Sequence, residues 1–204
     1  MRPAYRLAAA CAAILLAMVL GAALRPVLVP AAASGAPVLG AVEIGFAQDM
    51  TAHHQQALLV AERLDPAADP ALRRLATQIA DSQRMELGTL LGWTQLAGAA
   101  PTAAEPMRWM PDGHRHGAAQ AAMPGLASTA ELDALAAARG AEAEALFLRL
   151  MYRHHAGGIV MARAADALLH DGVVKQAARA MVTAQGKELG FLGMALTARG
   201  IAPE

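Results

Sequence analysis

The 204-residue sequence has one cysteine, only 3% aromatic residues and no excess of either charge, with 17 Lys+Arg against 17 Asp+Glu. Each shortage excludes something. The lone thiol, Cys11, lies in an apolar N-terminal stretch, so a chain cleaved after it would hold no thiol, disulfide or thiolate ligand. Any soft metal ligand in the body must then be a methionine thioether. Few aromatic or β-branched runs disfavour strands, and helices are the expected class. Scattered charge without basic clusters interleaved with aromatics gives no electrostatic footprint for nucleic acid, and no such partner is expected. No Gly-rich phosphate loop, nucleophile elbow or Ser/His/Asp constellation stands out, so no residue is assigned a catalytic role.

What the chain does have is methionine and histidine, 11 and 7 residues respectively. Its N-terminus carries Arg2 and Arg6, an uncharged apolar run from Leu7 to Leu24, and then the small residues Ala31, Ala32, Ala33, Ser34, Gly35 and Ala36. Residues 1–33 therefore read as an export signal cleaved near Ala33, or as a retained signal anchor, since 18 apolar residues lie at the lower edge of spanning length. Either outcome places the body outside the cytoplasm, in the periplasm or at the cell surface, with membrane anchoring through residues 7–24 in the second case. Cys11 lacks a preceding hydrophobic region, which argues against a lipoprotein. Loss of Arg2, Arg6 and Arg25 would leave 14 basic against 17 acidic residues, a mildly acidic mature chain.

Beyond a linker at 34–41, the chain repeats itself. Phe46-x3-Met50-x2-His53-His54-x2-Ala57 aligns with Phe147-x3-Met151-x2-His154-His155-x2-Gly158 at an offset of 101 residues. Gln83 and Glu86-Leu87 align with Gln185 and Glu188-Leu189 at an offset of 102, so the second copy has gained one residue between its halves. Each copy reads as a helical hairpin. In the first, apolar residues recur at helical spacing from Ile44 to Ala61, stop near Asp65-Pro66, and resume after Asp69-Pro70, an N-cap followed by a first-turn proline. The second runs from about Ala141 to Leu169, turns at His170-Asp171-Gly172 and returns from Val173 to about Ala198. Two hairpins with apolar stripes bury them by packing together, which predicts a four-helix bundle over 42–200 with repeat one at 42–98 and repeat two at 141–200. The 99–140 connection is long for a bundle, and Ser128 or Thr129 is placed to cap a short helix from Ala130 to Ala138.

Met50 precedes His53 by three residues and His54 by four, so thioether and imidazole share a helix face; Met151 stands in the same relation to His154 and His155. Adjacent histidines point about 100° apart, so one ion is not held by both members of a doublet on an undistorted helix. The pairings Met50 with His54 and Met151 with His155 are favoured, with the other member of each doublet open. Met161 lines the same face about two turns beyond. Gln83 with Glu86, and Gln185 with Glu188, sit at i and i+3 on the returning helices, where a carboxylate can ligate a metal or orient an imidazole. His114 and His116, with Met107, Met110 and Met123, form a second Met/His-bearing stretch in the connection. The same features also suit packing: Met fills cores, and a buried His needs only a hydrogen bond.

The run Phe147-Leu-Arg-Leu-Met151-Tyr-Arg-His154-His155-Ala-Gly-Gly-Ile-Val-Met161-Ala, with Met123-Pro124-Gly125 before it and Gln185-x2-Glu188 after it, resembles the domain of unknown function 305 family. The first copy, with Met50, His53-His54, Gln83, Glu86 and Trp93, is similar, and the likeness covers about Val42 to Gly200. It implies a ferritin-like helical bundle and copper as cargo, with His53, His54, Met50, Glu86, His154, His155, Met151, Met161 and Glu188 as the candidate metal residues. The sequence departs from the pattern at Leu59-Val60, where a counterpart of Met161 is expected. The function expected is extracytoplasmic copper sequestration or tolerance, another divalent transition metal remaining open, in a chain that can form a homo-oligomer. The competing readings are a ferritin-like iron or manganese oxidoreductase, for which only Glu86 and Glu188 recur as carboxylates, and a helical interaction module that holds no metal.

Overall fold

The computed structural model describes residues 3–28, 38–110 and 123–202, with side chains given from residue 9 in the first stretch and up to residue 24. The chain forms two compact units, Met1–Val38 and Leu39–Glu204. In the first, helix α1 spans Pro3–Leu28 and contains the expected apolar run. Among the described residues no helix is long and apolar enough to cross a membrane. The expected cleavage point near Ala33 lies outside the described residues.

The second unit is all-helical among its described residues: α2 Ala41–Glu62, α3 Pro70–Leu96, α4 Thr129–Ala137, α5 Gly140–Leu168 and α6 Gly172–Ala198. Local chemistry sets the ends. The Asp69 carboxylate accepts from the Ala71 and Leu72 amides and Pro70 opens the helix, so α3 starts where an N-cap and a first-turn proline place it. Ser128 and Glu131 cap α4 reciprocally. Gly172 takes φ +95°, which lets the chain reverse between α5 and α6 within three residues.

Helices α2 and α3 form one antiparallel hairpin, α5 and α6 the other, and the hairpins meet along α2 and α5. The four-helix bundle expected from the repeat is the fold. Its core divides into two apolar clusters. One gathers Ala57, Val60, Phe147, Leu148, Met151 and Leu192; the other gathers Phe46, Met50, Leu90, Met161, Val174 and Met181. Because the hairpins are related by a pseudo-twofold, equivalent residues fall at opposite ends: Phe46 and Met50 in one cluster, Phe147 and Met151 in the other. Burying each large side chain contributes roughly 1.5–3 kcal/mol.

Candidate metal centre

Both histidine doublets lie mid-helix, His53-His54 on α2 and His154-His155 on α5, and all four side chains are buried. The roughly 100° between helical neighbours sends the members of each doublet in different directions. His53 and His154 meet across the α2–α5 interface with ring centroids 3.8 Å apart. His54 and His155 meet the returning helices instead. His54 Nε2–H donates to Glu86 Oε2 at 2.6 Å, and His155 Nε2 lies 2.8 Å from Glu188 Oε2. The structure thus joins each second histidine to the glutamate at the matching position of its own hairpin.

Tautomers follow from the partners. His154 Nε2–H donates to the His53 carbonyl at 2.9 Å, and His53 Nε2–H to the Pro124 carbonyl at 3.1 Å. A carbonyl only accepts, so both rings are assigned the Nε2–H form and carry lone pairs on Nδ1. Those two Nδ1 atoms and that of His54 are buried without a hydrogen-bond partner. His155 differs, because its Nδ1–H donates to the Met151 carbonyl at 2.9 Å, leaving one proton between Nε2 and Glu188. The two copies are therefore inequivalent in which ring nitrogen a ligand would meet.

Burial pushes His53 down to about 3, with the neighbouring His54 adding to the effect. Burial also holds His154 well below the ordinary histidine value, His53 being the next cause. Two stacked imidazoles in a dry interface cannot both be cations, so the pair at the bundle centre is neutral. Gln83 and Gln185 are buried too, and neither their amide oxygens nor their nitrogens have partners. Gly158 makes room for the second, since a Cβ there would collide with Gln185 Oε1.

This donor set fits copper by its chemistry: imidazole lone pairs and carboxylates suit Cu(II), and thioethers suit Cu(I). Among the described residues, however, no group of three or more His, Cys, Asp or Glu side chains converges on a common point. Each His–Glu pair supplies two donors and no more. The methionines divide between the ends, Met50 and Met161 in one cluster and Met151 in the other, where Val60 also lies. The missing counterpart of Met161 is thus a valine on the Met151 side.

The family model for the domain of unknown function DUF305 matches residues 43–196. The chain belongs to the DUF305 family. A DUF305 protein from Streptomyces coelicolor, named as secreted, is 35% identical, with 80% of this chain and 95% of that one covered and a TM-score of 0.71. A DUF305 fragment from Deinococcus radiodurans is 31% identical, covering 78% and 97%, with a TM-score of 0.63. CopM, solved in Cu(I)-bound and Cu(II)-bound forms, is 25% identical to this chain; the Cu(I) form covers 76% of this chain and 96% of its own, with a TM-score of 0.58. No curated protein matches the chain.

In this DUF305 chain the connection between hairpins takes part in the site, which spacing alone does not reveal. The Pro124 carbonyl orients His53, and it is held by backbone packing: a Cβ on Gly157 would collide with the Pro124 oxygen, and one on Gly125, at φ +81°, with the Arg153 oxygen. Gln56 fastens the same segment, exchanging hydrogen bonds with Ala127 N and O at 2.6 and 2.8 Å. Asp49 is the other residue that sequence reasoning passed over. Its buried carboxylate accepts from Met107 N at 2.6 Å and Trp109 Nε1 at 2.8 Å, and burial raises its pKa. The available signal was an acidic residue inside an otherwise apolar stripe, one position before Met50. Met107 and Met110 are buried, Met123 packs against the same cluster, and His114 and His116 lie outside the described residues.

Proposed function

We propose that this protein binds copper outside the cytoplasm and sequesters it or hands it on, using the His54–Glu86 and His155–Glu188 pairs with thioethers from Met50, Met151 and Met161 as further donors. The observation that carries the reading is the meeting of a buried imidazole with a glutamate in each hairpin, His54 with Glu86 at 2.6 Å and His155 with Glu188 at 2.8 Å, beside the buried and unpartnered Nδ1 of His54. Such an atom in a dry core costs about 1–3 kcal/mol when nothing engages it, so an interior furnished this way favours a ligand. The copper-bound forms of CopM support copper as that ligand. The secreted Streptomyces relative and the leader at 1–33 support the compartment. When bound, copper would take imidazole and carboxylate from each His–Glu pair, and a thioether, a Gln amide or water would complete its coordination.

Within this scheme Glu86 and Glu188 orient the imidazoles and balance charge, the Pro124 and Met151 carbonyls fix the tautomers of His53 and His155, and the neutral His53–His154 stack holds the hairpins together. The test is copper stoichiometry and affinity, in both oxidation states, for wild type and a His54→Ala/His155→Ala variant, with Zn(II) and Fe(II) as competitors. Loss of high-affinity Cu(II) binding in the double variant is expected. Unchanged stoichiometry and affinity, or a preference for iron with oxygen consumption, would overturn the reading.

A further inference from the structure

The two members of each histidine doublet are covered by different parts of the chain. His54 and His155 lie against the returning helices, whereas His53 and His154 face each other and the connection between the hairpins. Met123 to Ala127 crosses this second pair. The Pro124 carbonyl accepts from His53, a Cβ on Gly125 would run into the Arg153 carbonyl and His154 Cα, and one on Gly157 into Pro124. The segment thus lies over α2 and α5 at the level of the stacked rings.

It is lightly fastened there. Met123, Pro124, Gly125 and Leu126 are each partly exposed, and of the five residues Ala127 alone is buried. Contact with α5 is backbone against backbone across two glycines, so no side chain interlocks at that point. Within the segment Leu126 N–H donates to Met123 O at 3.4 Å, long for such a bond. Besides the His53 bond, the tie to α2 is one partly exposed side chain: Gln56 Nε2–H donates to Ala127 O and Oε1 accepts from Ala127 N. Beyond Ala127 the chain is moored, because Ser128 caps α4 and Glu131 pairs with Arg153 on α5 at 2.7 Å. The helices beneath stand without the cover. Each is paired within its own hairpin, and His154 Nε2–H bridges them through the His53 carbonyl. A segment with few buried contacts, resting on a scaffold that does not need it, opens before the scaffold does.

We propose that Met123–Ala127 is a strap latched by the Gln56 amide, and that its local opening converts the buried His53–His154 stack into a solvent-facing pair of imidazoles, accessible to electrophiles while the bundle stays folded. Closed, the stack is a dry joint between the hairpins. Open, His53 loses its carbonyl acceptor, and the unpartnered Nδ1 atoms of both rings meet solvent. His54 and His155 remain covered by α3 and α6 in either state. Access to the two members of a doublet is thereby controlled separately.

The test uses the full chain free of metal, so its outcome is independent of the copper reading. Diethyl pyrocarbonate acylates imidazole nitrogens that reach solvent, tandem mass spectrometry assigns the modified ring, and the exposed His170 is the internal reference. Gln56→Met removes both latch bonds at similar volume, and His53 and His154 should then react about tenfold faster, with His54 and His155 at wild-type rates. Amide hydrogen exchange at Ala127 should accelerate in the same proportion. Gln56→Glu still accepts from Ala127 N but repels its carbonyl, so its rates should fall between; it carries the test alone should the methionine variant not fold. Wild-type rates at His53 and His154 in the folded variants would overturn the proposal. So would faster exchange at Ala127 alone, which would make Gln56 a local contact, or equal acceleration of all four buried rings, which would mean that the bundle opens as a whole.

Discussion

Lowering the pH from 7 to 5 should cost the metal-free protein roughly 4 kcal/mol of stability through the stacked pair His53 and His154. In the unfolded chain both titrate near 6.5, an order-of-magnitude reference for free imidazole. In the fold, burial holds His53 at about 3 and His154 well below its ordinary value. The stability they confer is complete above the unfolded value. It is lost as pH falls, because only the unfolded chain then takes up protons, at about 1.4 kcal/mol per pH unit for each ring. Integration over the two-unit window gives about 2 kcal/mol per histidine. Asp49 acts in the opposite direction, since its raised pKa lets the folded state bind a proton more readily. Asp65, Asp69, Glu131 and Asp166, whose values are lowered chiefly by hydrogen bonds, lose their contribution only below about pH 4 and stay silent in this window. Urea unfolding at pH 7, 6 and 5 reads the slope, and His154→Gln should remove about half of it. A total drop below about 1 kcal/mol, or imidazole NMR signals for His53 or His154 titrating near 6.5 in the folded protein, would refute the reasoning.

Other perturbations follow from particular contacts. Gly157→Ala drives a Cβ into the Pro124 carbonyl and should destabilise the fold by about 1–3 kcal/mol, read from the denaturation midpoint, while freeing His53 of its acceptor. Asp49→Ala strands the Met107 amide and the Trp109 indole, at roughly 1–3 kcal/mol for a buried donor left unpaired, and should red-shift tryptophan emission as Trp109 lifts from Phe46. Asp69→Ala removes the cap of α3 for about 1 kcal/mol, and an unchanged thermal midpoint would show that the turn is held by other contacts. Copper at a hundredfold excess over its dissociation constant should stabilise wild type by about 2.7 kcal/mol, with no such gain in the His54→Ala/His155→Ala variant.

What could be read from the chain beforehand was whatever local chemistry determines. Asp69-Pro70 announces the start of α3, Ser128 or Thr129 that of α4 and Gly172 the second hairpin turn, because capping and backbone freedom act within a few residues; that Ser128 is the cap, with Glu131 answering it, is read from the structure. The divergence within each histidine doublet follows from helical pitch, and the i, i+3 spacing of Gln83 and Glu86 puts them on one face. Other features are tertiary. Spacing does not show that the pseudo-twofold sends Met50 and Met151 to opposite ends of the core. Nor does it show that the long connection folds Met107 and Met110 inward. The acceptor that orients His53 is a carbonyl, which every residue possesses and no side-chain pattern marks.

That carbonyl belongs to the main chain, so no point mutation deletes it. Evolution or an engineer wishing to retune His53 must instead shift the backbone, and the two hydrogen-sized side chains at Gly125 and Gly157 set how far it can go. Length variation in this connection is consequently constrained around Pro124 to Ala127, as it is from Ala100 to Trp109, where Gln48 and Asp49 fasten the chain.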